Sequence, residues 1–376
     1  MTLKKEWRHW SVWFFMLLYM GATKPADAQS SVTLYGIIDT GVEYVTNIGS
    51  KRSNAALVPT LTGTLPSRWG IRGREDLGGG LSAIFVLESG FAPGQGTLNQ
   101  YGRLFGRQAY VGISGRWGTL SFGRQYSQIF WGNPGDTLAP SIYAAALLDT
   151  YLITPPRTDN SIVYSFSSNG LSFGLGYSLG RDTVAPAVAG GCAGQSASDW
   201  RACKSMSAML KYETPAWGAA AVVDRNYGGG GSGSPLPSSS QTDTRALLSG
   251  YVKFATTTLG AGIEHRINHG LQAPGVFNVN SDFWWFGGQY MPTPSLSLDA
   301  QFGHLNVNGN PVGGSVIAAR AMYLLSKRSA VYLTAGRMFN QSKATFTIDG
   351  GTAGTSSLPM AGIDQTGVMV GIRHFF

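Results

Sequence analysis

From Val32 to Phe376, apolar and polar residues alternate with a period of two in segments of about ten residues, each bounded by turn-rich stretches. Leu171, Phe173, Leu175, Tyr177 and Leu179 interleave with Ser172, Gly174, Gly176 and Ser178. Leu259, Ala261 and Ile263 interleave with Gly260, Gly262, Glu264 and Arg266; Leu296, Leu298, Ala300 and Phe302 with Ser295, Ser297, Asp299, Gln301 and Gly303. Val368, Val370 and Ile372 interleave with Gly367, Gly371 and Arg373. A strand sends successive side chains to opposite faces, so each segment is predicted to be a strand with one apolar and one small-polar face. Ten residues at ~3.3 Å rise and ~45° tilt cover roughly 23 Å, the height of the apolar band of an outer-membrane barrel.

The connections alternate in length. Short ones fall at 76–80, 115–118, 167–170, 214–218, 291–294 and 326–329, and long ones near 46–66, 91–102, 127–159, 181–204, 228–243, 268–281, 306–314 and 340–362. Eight long loops predict sixteen strands in an all-β, transmembrane antiparallel β-barrel, with short periplasmic turns and long extracellular loops. The soluble alternatives, a β-sandwich or a β-helix, would present a face rich in Lys, Glu and Thr. Here the polar face is Gly, Ser and Ala, with Arg at particular places. The GGGGSGS run at Gly228–Ser234 has strand-like segments on both sides and reads as a loop tip, so no second domain is expected.

Composition narrows the class further. Charged residues are 13% of the 376, against about 25% in soluble domains, and 52 are Gly. Mean hydropathy is −0.01, and no apolar run beyond residue 30 approaches the ~20 residues of a spanning helix. At the start, Lys4, Lys5 and Arg8 precede an apolar core from Val12 to Met20, and Ala26-Asp27-Ala28 follows as a small-x-small cleavage site. Residues 1–28 are therefore expected to be an export signal and 29–376 the mature barrel. Four Lys/Arg and two Asp/Glu leave with the signal, taking the net charge from +8 to +6. Export implies an oxidising compartment, and Cys192 and Cys203 are read as one loop disulfide in preference to two free thiols.

Several motifs then occur in a fixed order: Ser31-Val32-Thr33-Leu34-Tyr35-Gly36 with Asp39, Arg68-Trp69-Gly70-Ile71-Arg72-Gly73 with Glu75 to Leu81, and Phe105-Gly106-Arg107-Gln108-Ala109-Tyr110-Val111-Gly112. Gly118 to Gln125, Leu325 to Arg328 with Val331-Tyr332, and Val370 to Phe376 complete the set. In this order the chain resembles the trimeric general porins of Gram-negative outer membranes, closest to their β-proteobacterial branch, over essentially the whole mature length. The resemblance implies a homotrimer of sixteen-stranded barrels in outer-membrane lipid and lipopolysaccharide, each with a water-filled pore. It implies that the third long loop, about Ser127 to Thr158, folds into the lumen. It also implies that terminal Phe376 is the tag that the barrel-assembly machinery reads. That loop is apolar from Ile142 to Ile153, and Asp136 and Asp149 are its only carboxylates before Asp159.

A pore filters at its narrowest ring of charge. Parity puts Arg68, Arg72 and Arg74 opposite Trp69 and Ile71, Glu88 opposite Phe85 and Leu87, and Asp39 opposite Leu34, Ile38 and Val42, all facing the lumen. By resemblance Arg68, Arg72, Arg107 and Arg124 belong to a basic constriction ladder. Parity agrees only for the first two: Arg107 runs with Val111 and Ile113, and Arg124 with Leu120 and Phe122. Local bulges or a trimer interface apolar on both faces would reconcile them; the plain alternative is arginines snorkelling at the surface. Glu88, Asp39 and Asp136 are expected to form the negative side of the constriction. His265 and His269, four apart on a strand, lie roughly 13 Å from each other and suit no metal. No nucleophile elbow or phosphate-cradling loop occurs, and no cofactor or nucleic acid is expected. The reading is an outer-membrane porin for passive diffusion of ions and small hydrophilic solutes, with a weak anion preference and no enzymatic activity. The alternatives are a substrate-preferring channel of the same fold and an outer-membrane β-barrel hydrolase.

Overall fold

The computed structural model describes residues 31–60, 63–138, 143–145, 148, 156–273, 276–349 and 356–376. The export signal read over 1–28 lies outside these residues, as do Asp149 and most of the apolar half of the third loop. Sixteen long strands make one closed antiparallel sheet. In chain order they are β1 Ser31–Ile48, β2 Arg68–Gly78, β3 Leu81–Ala92, β4 Gln108–Gly115, β5 Gly118–Tyr126 and β6 Arg157–Ser168. Then come β7 Leu171–Ser178, β8 Ser205–Glu213, β9 Trp217–Tyr227, β10 Thr242–Phe254 and β11 Thr257–Ala273. The last are β12 Val276–Thr293, β13 Leu296–Val307, β14 Gly314–Leu324, β15 Ser329–Asn340 and β16 Gln365–Phe375. Two short strands, Ser53–Leu57 and Thr97–Leu98, pair with the loop-side ends of β1 and β3.

Each strand pairs with its sequence neighbour, and β1 closes the ring. Its first half pairs with β2, from Ser31↔Arg74 to Ile37↔Arg68, and its middle with β16, from Ile37↔Phe375 to Val45↔Gly367. Phe376 completes the seam, exchanging two backbone hydrogen bonds of 3.1 Å with Gly36. Among the described residues no edge strand of the sheet is then left unpaired, which is the condition for a sheet to sit in lipid. At the Asn169-Gly170 turn between β6 and β7 both residues have positive φ, 49° and 83°, as a two-residue hairpin loop with the twist of its strands requires.

Alternation survives as geometry. Along β9 the side chains read exposed and buried in strict turn. The outward set, including Val42, Val111, Phe122, Leu248, Phe286 and Val370, is apolar and exposed, a belt stable only against hydrocarbon. One expected loop is different. Residues 268–281 continue β11 and β12, with Leu271↔Phe277 and Ala273↔Val276 paired beyond register shifts. The alternation there is weak, and hairpin pairing carries the strands past the point where the pattern fades.

The inner face is not uniformly polar. Met209, Val222, Leu247, Phe283, Trp285, Leu305, Val316 and Met338 point inward from β8 to β15 and pack with Leu138, Tyr143, Ala144, Ala145 and Leu148 of the third loop. The loop is also tied to the wall strand by strand. Gln128 N donates to Ser207 Oγ (3.1 Å, β8), Gly135 N to Ser249 Oγ (2.9 Å, β10), and Ala145 N to Gln301 Oε1 (2.6 Å, β13). Tyr143 OH donates to Glu43 Oε1 at 2.7 Å on β1. The third loop therefore folds inside the barrel and lies along the inner wall from β8 round to β1. The arginine-bearing wall of β2 to β6 is left facing it.

Candidate functional site

Pairing sets which side chains meet on that wall. Gly70 lies opposite both Tyr35 and Glu88, and Arg68 opposite Ile37 and Gly90, so Tyr35, Arg68 and Glu88 share the inner face. A β-carbon at position 70 would come within 2.8 Å of the Tyr35 ring, so a glycine there lets the phenol lie across the strand toward Glu88. Tyr35 OH donates to Glu88 Oε2 at 3.1 Å, and Arg68 Nε stands 3.5 Å from the same oxygen. Arg107 Nε donates to Glu88 Oε1 at 2.7 Å. Its other end donates to Tyr126 OH at 2.6 Å, and Arg157 Nη2 donates to that hydroxyl at 2.7 Å. The Arg157 guanidinium also lies 4.4 Å from the Tyr126 ring centroid. Two guanidiniums thus hold one carboxylate, and a third, that of Arg157, joins them through the Tyr126 hydroxyl. Among the described residues Arg157 has no carboxylate partner, and Arg72, 5.3 Å from the Tyr35 ring, has none either. Arg72 and Arg74 continue the row toward the periplasmic turn, and Arg74 Nε donates to Ser82 Oγ at 3.1 Å.

The structure distributes the sequence-derived candidates unevenly. Arg68, Arg72 and Glu88 lie on the inner wall. Arg107 joins them against its parity, because it precedes the first residue of β4 and its chain is still turning out of the second loop, with its amide on Glu88 O (3.1 Å). Arg124 does not join. It pairs with Ala109 in unbroken register and keeps the outward parity of Phe122. Its guanidinium donates to Gly106 O at 2.8 Å and Asp159 Oδ1 at 2.5 Å. Asp159 also binds Arg103 (3.1 Å) and the amide of Thr183 (2.8 Å), while Arg103 binds Asp182 at 2.6 Å. Arg124 therefore ties the second and fourth loops together outside the lumen, and the constriction place read for it is corrected. Burial by itself would raise the Asp182 pKa, but the Arg103 hydrogen bond and the amides of Ala185 and Val184 outweigh it and hold the carboxyl below the usual aspartate value.

Asp39 faces inward but is closed off. Thr64 N and Leu65 N donate to Oδ2 at 3.1 Å each, Thr64 Oγ1 donates to the same atom, and Tyr332 OH donates to Oδ1 at 2.6 Å. Fully buried, it anchors the first loop and offers no charge to a solute, a correction to its place in the constriction. Asp136 accepts from Gln301 Nε2 at 2.6 Å and Leu138 N at 3.1 Å, and so holds the third loop to β13. Cys192 and Cys203 are bonded, Cα to Cα 5.2 Å, in the fourth loop. His265 lies against Asp282 (2.7 Å) and His269 against Thr242 (3.0 Å), so the two histidines have separate neighbours.

Sequence reasoning missed Arg157, and also Arg320 and Arg373 on the inner wall. Arg320 Nε donates to Asp299 Oδ2 at 3.0 Å, and Arg373 Nη1 reaches Thr64 Oγ1 at 3.4 Å. Parity could have found the last two, since Ala319, Ala321 and Ile372 face outward around them. Arg157 had no such signal, because it follows Pro155-Pro156 at the exit of the third loop.

A sequence profile described as Gram-negative porin matches residues 16–343. The chain belongs to the Gram-negative porin family. An outer membrane porin of Bordetella pertussis is 41% identical over 177 residues, covering 43% of this chain and 46% of that protein. The chain thus aligns with about half the length of that relative. Outer membrane porin protein 32 of Delftia acidovorans is 27% identical over 393 aligned positions, covering 96% of this chain and 98% of that one. Among solved structures, the anion-selective porin from Comamonas acidovorans superposes with a TM-score of 0.74 at 23% identity, over 93% of this chain and 100% of that one, a likeness of fold. As a porin, the protein resides in the outer membrane.

Proposed function

We propose that this porin forms, as a homotrimer, a water-filled pore for passive diffusion of small hydrophilic solutes, with a weak to moderate preference for anions. The observation that carries the reading is the inner-wall cluster of Arg68 and Arg107 on the single carboxylate of Glu88, joined by Arg157 through Tyr126, with Arg72 and Arg74 following below it. Guanidiniums stay charged at any working pH. Inside a low-dielectric tube their field extends further than on an open surface, so anions concentrate along the row. The Comamonas porin, itself anion-selective, supports the same sign. Flux is downhill, and no side chain has a catalytic task. Lipid and lipopolysaccharide cover the outer belt, and the barrel-assembly machinery reads terminal Phe376.

The test is a reversal potential in planar bilayers under a KCl gradient. The expected sign is that of an anion-preferring channel, carried by an oligomer that heat converts to a monomer in mild detergent. A cation-preferring wild-type channel overturns the selectivity, and absence of any conductance overturns the pore. A second reading, a substrate-preferring channel of the same fold, is favoured by one observation: Trp131 of the third loop stands half-exposed inside the lumen.

A further inference from the structure

We propose that the cavity on the periplasmic side of the arginine cluster is a subsite for small aromatic carboxylates. The proposal rests on the pore reading and names the anions that the lumen retains longest. The cavity measures about 460 Å³ and is lined by Tyr110, Tyr126, Trp131, Gln125, Met209 and Lys211, toward the turns after β4 and β6. That volume lies within the roughly 300–1,000 Å³ of small-molecule pockets.

Trp131 is the unusual member. It is 48% exposed, whereas Trp285, which also faces inward, is 2% exposed. Its position is built. It ends the helical turn Gln128–Trp131, whose first residue is pinned by Gln128 N on Ser207 Oγ. Its ring stands 5.0 Å from Phe130 and 5.5 Å from Tyr126, edge-on to both. The rest of the indole is open to the cavity and offers a π-face fixed before any ligand arrives. The cation comes from the same assembly. Tyr126 lines the cavity and carries Arg157 on its hydroxyl and ring face. Arg157 has no carboxylate partner among the described residues, and its buried Nε has no hydrogen-bond partner. Lys211 also borders the cavity, but Glu213 partly neutralises it at 2.7 Å. A ring laid on Trp131 with its carboxylate toward Lys211, in the field of Arg157 behind Tyr126, uses both features at once. An aliphatic anion meets only the charge, and an aromatic cation is repelled by it.

The experiment uses the intact chain in planar bilayers with KCl and three probes at equal concentration: benzoate, cyclohexanecarboxylate and acetate. Benzoate and cyclohexanecarboxylate carry the same charge and nearly the same size, so their difference isolates the ring. Benzoate is expected to interrupt the current with dwell times about fivefold longer than cyclohexanecarboxylate, the range of one aromatic pair, and acetate to give none. Trp131→Ala is expected to abolish the difference and Trp131→Phe to keep most of it. Equal dwell times for benzoate and cyclohexanecarboxylate in the wild-type channel overturn the subsite, as does a Trp131→Ala channel that still tells them apart. If Trp131→Ala does not insert, the wild-type comparison decides. A channel that passes KCl and treats the two acids alike overturns the subsite and leaves the pore standing, whereas no KCl conductance overturns the pore itself.

Discussion

On the wall made by β9, β10 and β11, Arg245 meets Glu264 at 3.1 Å and Asp243 at 3.1 Å, and Arg266 meets Asp243 at 2.9 Å. The side chains of Arg245 and Glu264 are fully buried. On the wall made by β2 to β6, Arg68 and Arg107 share the single carboxylate of Glu88, Arg157 reaches them only through the Tyr126 hydroxyl, and Arg68 keeps 22% of its side chain exposed. The same residue types therefore do different things in one barrel. Matched charge for charge, they hold strands together; outnumbering their carboxylate and opening to the lumen at Arg68, they leave a field for a passing ion. Counting arginines would not separate the two walls, whereas counting carboxylate partners does.

Breaking the matched wall should produce the largest effect. Glu264→Ala leaves Arg245 buried with half its compensation and is expected to cost about 3–5 kcal/mol in denaturant unfolding of the detergent-refolded barrel. A loss under about 1 kcal/mol would mean that water reaches the cluster and the contrast is one of degree. Next comes the apolar packing that presses the third loop away from the arginine wall. Met338→Ala should cost about 2–5 kcal/mol and raise single-channel conductance as the loop loosens.

On the unmatched wall, the joint replacement Arg68→Ala and Arg72→Ala should barely change stability but move the reversal potential toward cations. A guanidinium roughly 8 Å from the ion path is worth about 0.5 kcal/mol at the dielectric of water, favourable to an anion and unfavourable to a cation, so each lost charge changes the anion-to-cation ratio by about fivefold. Arg157→Ala should act the same way, and Arg124→Ala, outside the lumen, should leave the ratio unchanged. An equal shift from Arg124→Ala would remove the distinction between inner and outer arginines.

The smallest effects belong to the outer loops. Asp182 has a depressed pKa, so its contribution is complete above the usual aspartate value near 4 and disappears only as pH falls through the lower folded-state value. Hydrogen exchange in the second loop should therefore stay slow at pH 5 and quicken only in stronger acid. Reducing Cys192–Cys203 should likewise leave the oligomer intact. A loop this short is worth roughly 3 kcal/mol at most, confined to the fourth loop. Dissociation of the oligomer on adding reductant would show that this loop reaches a neighbouring barrel.

How the site could be read beforehand varied with the residue. Arg68, Arg72 and Glu88 sit mid-strand, where alternation has an unambiguous phase. Arg107 sits one residue outside its strand, where phase has no meaning. Asp39 had the right face, but parity says nothing about what covers a face, and the first loop folds onto it. The apolar inner wall did leave a trace. Phe283-Trp284-Trp285-Phe286 and Ala246-Leu247-Leu248 are apolar on both faces, a pattern that a strand between lipid and water would not need.

By itself the sequence determined the strands, their number, the outward apolar belt and the sign of the pore-facing row. These follow from the period-two pattern and turn residues, which act within a few residues of each other. Tertiary structure alone decided which carboxylate answers which arginine, where the third loop lies and which half of the lumen is closed. Those depend on contacts between residues far apart in the chain, such as Tyr143 with Glu43 and Asp136 with Gln301. No local pattern encodes them, because a strand's alternation sets only the face of a side chain and leaves open what it meets there.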